Sequence, residues 1–219
     1  GPKQCPSCFQ NRRSKLQKMN KVLVVINGCP GSGKSYLSGL IKEKFPFFDI
    51  FPYDKVKEEF FDAYGFDNIT ERSALEERSL EEYYLRLEKR MEKGEELIIE
   101  YPFCRKHEKP FSCLIEKYGY RAVTITLIGD LSVLLSRWEE RDRREKGRHP
   151  GHYLLAYHKG RAIKDSDYKR KPNLEEFEAL CRAKDYFITL GETVRVDVTD
   201  YSKVNYGQII SLISKNLND

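Results

Sequence analysis

The sequence predicts an α/β fold of three layers, with a mainly parallel sheet of five strands between helices, and three observations predict it. Lys21–Asn27 reads K-V-L-V-V-I-N, a continuous β-branched run of the kind that forms a strand buried on both faces. A glycine-rich turn follows it and opens directly into apolar residues at helical spacing. Further short apolar runs alternate with helical stretches along the rest of the chain, the order that specifies parallel strands joined by crossover helices.

The elements follow in order. Ser35–Phe45 places Leu37, Leu40, Ile41 and Phe45 on one helix face. Phe47–Tyr53 (F-F-D-I-F-P-Y) predicts the second strand, ending at Asp54, with a short helix over Lys55–Tyr64. Thr70–Lys93 is charged and helical in period, with Leu75, Leu80, Tyr84, Leu87 and Met91 as its apolar face and Gly94 as its stop. Glu96–Tyr101 is the third strand, closed by Pro102, and Lys109–Tyr118 the next helix. Arg121–Ile128 is the fourth strand, and Asp130 or Ser132 caps a helix running through Trp138 to about Lys146. Gly147–Gly160 reads as a loop or mobile lid. Asn173 caps a helix to about Phe187, Val194–Val198 is the fifth strand, and Val204–Leu217 closes the fold.

Composition bounds the rest. The 219 residues are 40% apolar, enough for one large core, so a single domain over 21–219 is expected, with a lid over about 137–160. Residues 1–20 form a basic lead-in containing Arg12, Arg13, Lys15 and Lys18, and Gly1-Pro2 looks like a scar of tag cleavage. A net charge of +5 suits an anionic ligand without arguing for nucleic acid. No apolar run approaches the ~20 residues of a membrane span, so no membrane partner is expected. The six cysteines are read as cytosolic thiols in a cytoplasmic protein. Cys5-Pro-Ser-Cys8 is half of a zinc-binding pattern, without a second pair at ligand spacing.

Gly28-Cys29-Pro30-Gly31-Ser32-Gly33-Lys34-Ser35 fits the phosphate-loop pattern G-x-x-x-x-G-K-[ST] at every fixed position. Its glycines let backbone N–H groups turn inward around phosphate oxygens, and the following helix aims its positive end at the same anion. Lys34 is expected to reach the β- and γ-phosphates, Ser35 to offer its hydroxyl to Mg²⁺, and Tyr36 to complete the nucleotide-binding run, with ATP and Mg²⁺ as cofactors.

Phosphoryl transfer also needs a group for the acceptor hydroxyl and positive charge for the transition state. Asp54 falls at the edge where a parallel sheet places its ligands, as acceptor-side base or as a helix N-cap. Glu100 ends the third strand at the same edge and can assist Mg²⁺ through water, contact the acceptor, or simply be a surface carboxylate. Arg137 and Arg141 share a helix face, and Arg143, Arg144 and Arg148 follow. Arg137, Arg141 and Arg148 are favoured for closing over the transferred group, although Glu139, Glu140, Asp142 and Glu145 offer them ordinary partners. His149 and His152 flank Pro150-Gly151 and are read as shaping the lid or touching the acceptor; Trp138 is read as core.

Taken together these residues resemble the small P-loop kinases that include zeta toxins, chloramphenicol phosphotransferase and the kinase domain of polynucleotide kinase. The resemblance spans about 21–217 and is specific only at its motifs. Asp54 matches the aspartate that is the general base of polynucleotide kinases, with Lys57 where they carry arginine. Arg137-Trp138-Glu139-Glu140-Arg141 has the spacing of their lid, and Gly147-Arg148-His149-Pro150-Gly151 is similar to the G-D-R-x-x-G lid of chloramphenicol phosphotransferase, without its aspartate. Val196-Asp197-Val198-Thr199 resembles the strand end of the group, which implies an adenine site near Thr199–Lys203.

Three functions remain open on these grounds. The first is an ATP-dependent kinase acting on a hydroxyl of a small molecule. The second is a polynucleotide 5′-hydroxyl kinase, whose basic channel Arg12–Lys18 and Tyr168–Lys171 could line and against which the acidic stretch around Glu71–Glu96 argues. The third is a nucleotide-binding regulatory module without transfer chemistry.

Overall fold

All seven residues of β1 (Val22–Gly28) are buried, which places this strand at the centre of the sheet. It pairs in parallel with β3 (Leu97–Glu100) on one side and β4 (Arg121–Ile128) on the other; β2 (Asp49–Ile50) lies outside β3 and β5 (Glu192–Asp197) outside β4. The order is β2-β3-β1-β4-β5 and every pairing is parallel, so the carboxyl ends of the strands share one edge. This computed structural model describes residues 20–144 and 147–219, and only the backbone of 142–144. The basic lead-in up to residue 19, Cys5 and Cys8, and the side chains of Arg143 and Arg144 lie outside the described residues.

The alternation of a pleated strand sorts β1 between two cores. Val22, Val24 and Ile26 join Leu37 and Ile41 of α1 (Lys34–Lys44), Leu134 and Leu135 of α5 (Leu131–Arg144), Phe177 of α6 (Leu174–Lys184), and Ile209 and Ile213 of α7 (Tyr206–Asn218). Leu23 and Val25 join Val56 of α2 (Tyr53–Tyr64), Tyr83 and Leu87 of α3 (Ile69–Glu92), and Phe111 of α4 (Glu108–Tyr118). This is the three-layer α/β architecture that the alternation of elements predicts. A third, small cluster of Phe61, Phe66, Leu75, Leu154 and Tyr157 sits apart from both.

Three elements differ from their expected form. The second strand is two residues long, because Pro52 offers no N–H to the ladder and instead stands as N-cap of α2. Asp54 therefore lies inside the first turn of α2, not at the cap. The buried stripe of α3 is Leu75, Ser79, Tyr83, Leu87 and Met91, a strict four-residue spacing, with Leu80 and Tyr84 only partly buried at its side. Tyr83 wins the inner position by donating its hydroxyl to the Phe51 carbonyl at 2.7 Å. The segment expected as a loop over Gly147–Gly160 carries a 3₁₀ turn at Pro150–His152 and is bridged to Tyr168 at Leu154 and, to α2's exit, at Phe66–Tyr157, while a second 3₁₀ turn, Asp165–Asp167, follows it. Asp130 is the cap of α5, its carboxylate accepting from the Ser132 and Val133 amides at 2.9 and 3.2 Å.

Candidate active site

The phosphate loop spans the end of β1 and the start of α1, and its backbone tolerates little else. Gly31 and Gly33 hold φ of 80° and 86°, and a Cβ on Gly31 would lie 2.1 Å from the Leu134 carbonyl oxygen. Ser32 is fully buried, and its hydroxyl has no hydrogen-bond partner among the described residues. The Cys29 thiol shares a hydrogen bond with Cys181 of α6, so the side chain is turned into the fold while the backbone of Cys29 stays in the loop.

Lys34 folds back over this loop, donating to the Gly28 and Cys29 carbonyls at 3.0 Å each. Burial brings its ammonium down to about 8, although Glu100 and Asp54 pull the other way. Ser35 donates to Glu100 at 2.9 Å, and Ser38, one turn on, donates to the second oxygen of the same carboxylate. Two hydroxyls converging on a carboxylate form an oxygen-only donor set, which suits Mg²⁺. The free hydroxyl of Ser32, the retracted Lys34 and this set together fit a magnesium-bound nucleotide.

Across the cleft stands α2. Asp54 forms an ion pair with Lys57 at 2.9 Å, the two being one turn apart on the helix. Lys57 is almost fully buried, under the rings of Tyr101 at 4.8 Å and Tyr53 at 5.4 Å, and its ammonium reaches the Tyr101 hydroxyl at 3.3 Å. The Asp54 oxygen that faces Lys57 is buried, whereas the side chain as a whole is half-exposed to the cleft. Burial would raise the pKa of Asp54, but Lys57, His152 and Lys34 outweigh it and hold the group at about 2.

These walls enclose a cleft of about 1180 Å³ that Lys34, Ser35, Tyr36, Asp54, Arg137, Arg141 and Arg148 all line. Arg141 lies close enough to Lys34 to press its pKa down, and Arg148 does the same to His152. Arg137 is held at the phosphate-loop end of the cleft: it donates to the carbonyls of Val198 and Thr199 at 2.5 and 2.8 Å and stacks on Tyr201 at 3.8 Å. The Tyr201 hydroxyl lies 2.7 Å from where a Cβ on Gly33 would stand, so this stack borders the phosphate loop. Thus Arg137 and Tyr201 together mark the 199–203 stretch as a wall of the cleft.

The wall opposite the phosphate loop contains contacts the sequence did not announce. His152 bonds Glu58 at 2.6 Å, His149 bonds Asp62 at 2.9 Å and His158 bonds Asp67 at 2.9 Å. Tyr157 and Lys159 also donate to Asp62, at 2.5 and 2.8 Å, and hold its carboxyl well below the usual range. Arg72 of α3 donates to the Gly151 carbonyl at 3.2 Å. The segment after Gly147 is thus fastened to α2 and α3. Burial lowers the pKa of His152, against the pull of Glu58 and Asp54. Among the described residues no group of three or more His, Cys, Asp or Glu side chains could hold a metal, so the two loop histidines serve this fastening. The only advance signal was the spacing of Asp54, Glu58 and Asp62 along one helix face.

A family profile described as an AAA domain matches residues 24–164, a stretch that holds the phosphate loop, Asp54, Glu100 and the three favoured arginines. Among solved structures, a candidate kinase from Chloroflexus aurantiacus superposes with a TM-score of 0.66 at 17% identity, covering 91% of this chain and 97% of that one. Kti12 from Chaetomium thermophilum, in complex with ADP-AlF3, gives 0.55 at 13% identity over 89% and 98%. A sugar kinase from Janibacter gives 0.51 at 15% identity over 91% and 95%. At such identities the likeness shows the fold. No curated protein matches the chain.

Proposed function

The chain belongs to the AAA-domain family, and on that premise we propose that it is a P-loop kinase that moves the γ-phosphoryl group of ATP to a hydroxyl of a small molecule. One observation carries this reading: Lys34 and Ser35 on one wall of a single cleft and Asp54 on another. A binding module needs only the first wall.

In this reading the loop amides and Lys34 hold the phosphates, exchanging the two carbonyl contacts of Lys34 for phosphate oxygens. Ser35 and Glu100 hold Mg²⁺, which when bound neutralises charge on the β- and γ-phosphates. Asp54 accepts a hydrogen bond from the acceptor hydroxyl and orients it in line. With a pKa of about 2 it is a weak base at rest, so the proton moves to it only as the new P–O bond forms and the hydroxyl acidifies. Arg141 and Arg148 line the cleft where negative charge spreads in transfer, and Arg137, on the Val198 and Thr199 carbonyls, braces the wall beside the phosphate loop. A polynucleotide acceptor is the weaker reading, because Tyr168–Lys171, the described part of the expected basic channel, lines a small pocket of about 350 Å³.

ATP consumption measured with and without nucleosides, sugars, nucleotides and a 5′-hydroxyl oligonucleotide tests the proposal. Stimulation by one class, abolished by Lys34→Ala, is expected. Tight ATP binding with no stimulation by any of them, and turnover indifferent to Asp54→Asn, would leave a binding module.

A further inference from the structure

A pocket of about 350 Å³, a size suited to small ligands, opens beside the main cleft, and Arg148, His152 and Tyr153 line both. Trp138, Tyr168 and Lys169 form its other side. The Tyr153 and Tyr168 rings stack at 5.9 Å and 14°, and the Lys169 amide donates to the Tyr153 carbonyl at 3.0 Å, so backbone pairing fixes where the lysine enters. The pocket is on the acceptor side: its His152 is near enough to Asp54 for the two charges to act on each other.

The charges that act most strongly on Lys169 are mainly positive. Among the described residues its ammonium has no hydrogen bond and no ion pair. Arg72, Lys57 and Arg148 act on it as neighbouring cations, and Glu76 pulls the other way. Glu76 is already taken by Arg72 at 3.0 Å, and Lys57 is paired with Asp54 at 2.9 Å. His152 brings no negative charge to Lys169, and its own partner is Glu58. Burial and the neighbouring cations bring Lys169 down to about 7. A half-buried ammonium held among cations, at the wall of an aromatic pocket, is stabilised by an arriving anion.

We propose that this pocket binds a phosphate or pyrophosphate group carried by the acceptor, so that the substrate is a phosphorylated hydroxyl compound, a nucleotide or sugar phosphate, and not a neutral alcohol. Several converging cations favour a multiply charged group over a carboxylate, and the stacked tyrosines offer a flat apolar face to the ring that bears it. The identity of the ligand as acceptor rests on the kinase reading; the anion pocket does not.

Trp138 is the single tryptophan of the chain and lines this pocket, so its fluorescence reports occupancy. With the phosphate loop saturated by a non-hydrolysable magnesium-ATP analogue, inorganic pyrophosphate should give a saturable change that weakens with salt. Lys169→Met should weaken it by roughly tenfold to a hundredfold, the loss of one charge-assisted contact; Lys169→Arg should restore it, and both variants should bind the ATP analogue normally, which shows that they fold. In turnover, phosphorylated acceptors should show a lower KM than their neutral parents, and Lys169→Met should erase the difference. No saturable signal, or the same affinity in Lys169→Met, overturns the pocket. Pyrophosphate binding as expected with no acceptor turned over sinks the kinase reading and leaves the pocket standing. In the parent protein, a neutral acceptor with a KM as low as that of its phosphorylated form sinks the inference and leaves the kinase. A 5′-hydroxyl oligonucleotide that displaces pyrophosphate and is itself phosphorylated overturns the small-molecule acceptor.

Discussion

Ser35 donates its hydroxyl to Glu100 at 2.9 Å, tying the last residue of the phosphate loop to the last residue of β3. The expected consequence is a magnesium requirement that Glu100 sets. Glu100→Gln keeps an acceptor for Ser35 and Ser38 but removes the charge, and should raise the magnesium concentration needed for ATP binding by roughly tenfold to a hundredfold. Calorimetric titration of ATP at several magnesium concentrations measures this, and an unchanged requirement would remove Glu100 from the metal site.

Asp54→Asn should lower turnover by about two to four orders of magnitude while ATP affinity changes little. The asparagine still accepts from Lys57, so the buried ammonium keeps a partner and the fold holds. Asp54→Ala strips that partner and should also destabilise the protein, since an uncompensated buried charge is left behind. Kinetics and denaturant unfolding of the two variants separate the chemical role from the structural one.

Lys34, with its ammonium at about 8, predicts a linkage between nucleotide binding and protons. Phosphates favour the charged form, so binding near pH 9 should take up a proton and affinity should fall as pH rises through 8; at pH 6.5 the lysine is already charged and uptake should be near nil. Titration calorimetry in buffers of different ionisation heat reads the uptake directly. The same uptake in Lys34→Ala would assign the proton to another group.

Arg137→Ala should raise the KM for ATP more than it lowers kcat, because its guanidinium holds the Val198 and Thr199 carbonyls and the Tyr201 ring beside the loop. A fall in kcat alone would instead assign it to the transferred phosphoryl group.

His107 predicts an acid-side loss of stability. Burial brings it down to about 4, and its Nδ1 accepts from the Cys104 amide at 2.9 Å. The unfolded chain, with histidine near 6.5, binds the extra proton between pH 6.5 and 4, so stability falls as pH drops through that window, by up to roughly 3 kcal/mol. Urea unfolding at pH 7 and pH 4.5 should show a smaller difference in His107→Gln than in the parent.

The fold was legible where one residue type decides a position. The run of β1 and the glycines after it state their environment locally, and Asn173 and Asp130 cap where their side chains predict. The two-residue β2 was misread because the Phe47–Tyr53 run looks like a strand from its apolar content, while Pro52 decides its end. The face of α3 was misread because Tyr84 and Leu80 are as apolar as their neighbours, and only the distant Phe51 carbonyl selects Tyr83. In the site, the loop and Glu100 were legible as strand-end positions of a parallel sheet, whereas Asp54, expected at the end of the second strand, stands in the first turn of α2. The fastening of His149 and His152 to Asp62 and Glu58, and the crowding of Lys169 by Arg72 and Lys57, join residues about ninety or more apart and leave no local pattern.

The small cluster of Phe61, Phe66, Leu75, Leu154 and Tyr157 has a dynamic meaning. It gives the acceptor wall a cooperative unit of its own, while the phosphate loop hangs from the most protected strand of the sheet. Amides around Phe66 and Tyr157 should exchange with solvent through a partial opening, well before those of β1, which need global unfolding. In the proposed kinase, this would loosen the grip on the acceptor without disturbing the seat of the nucleotide.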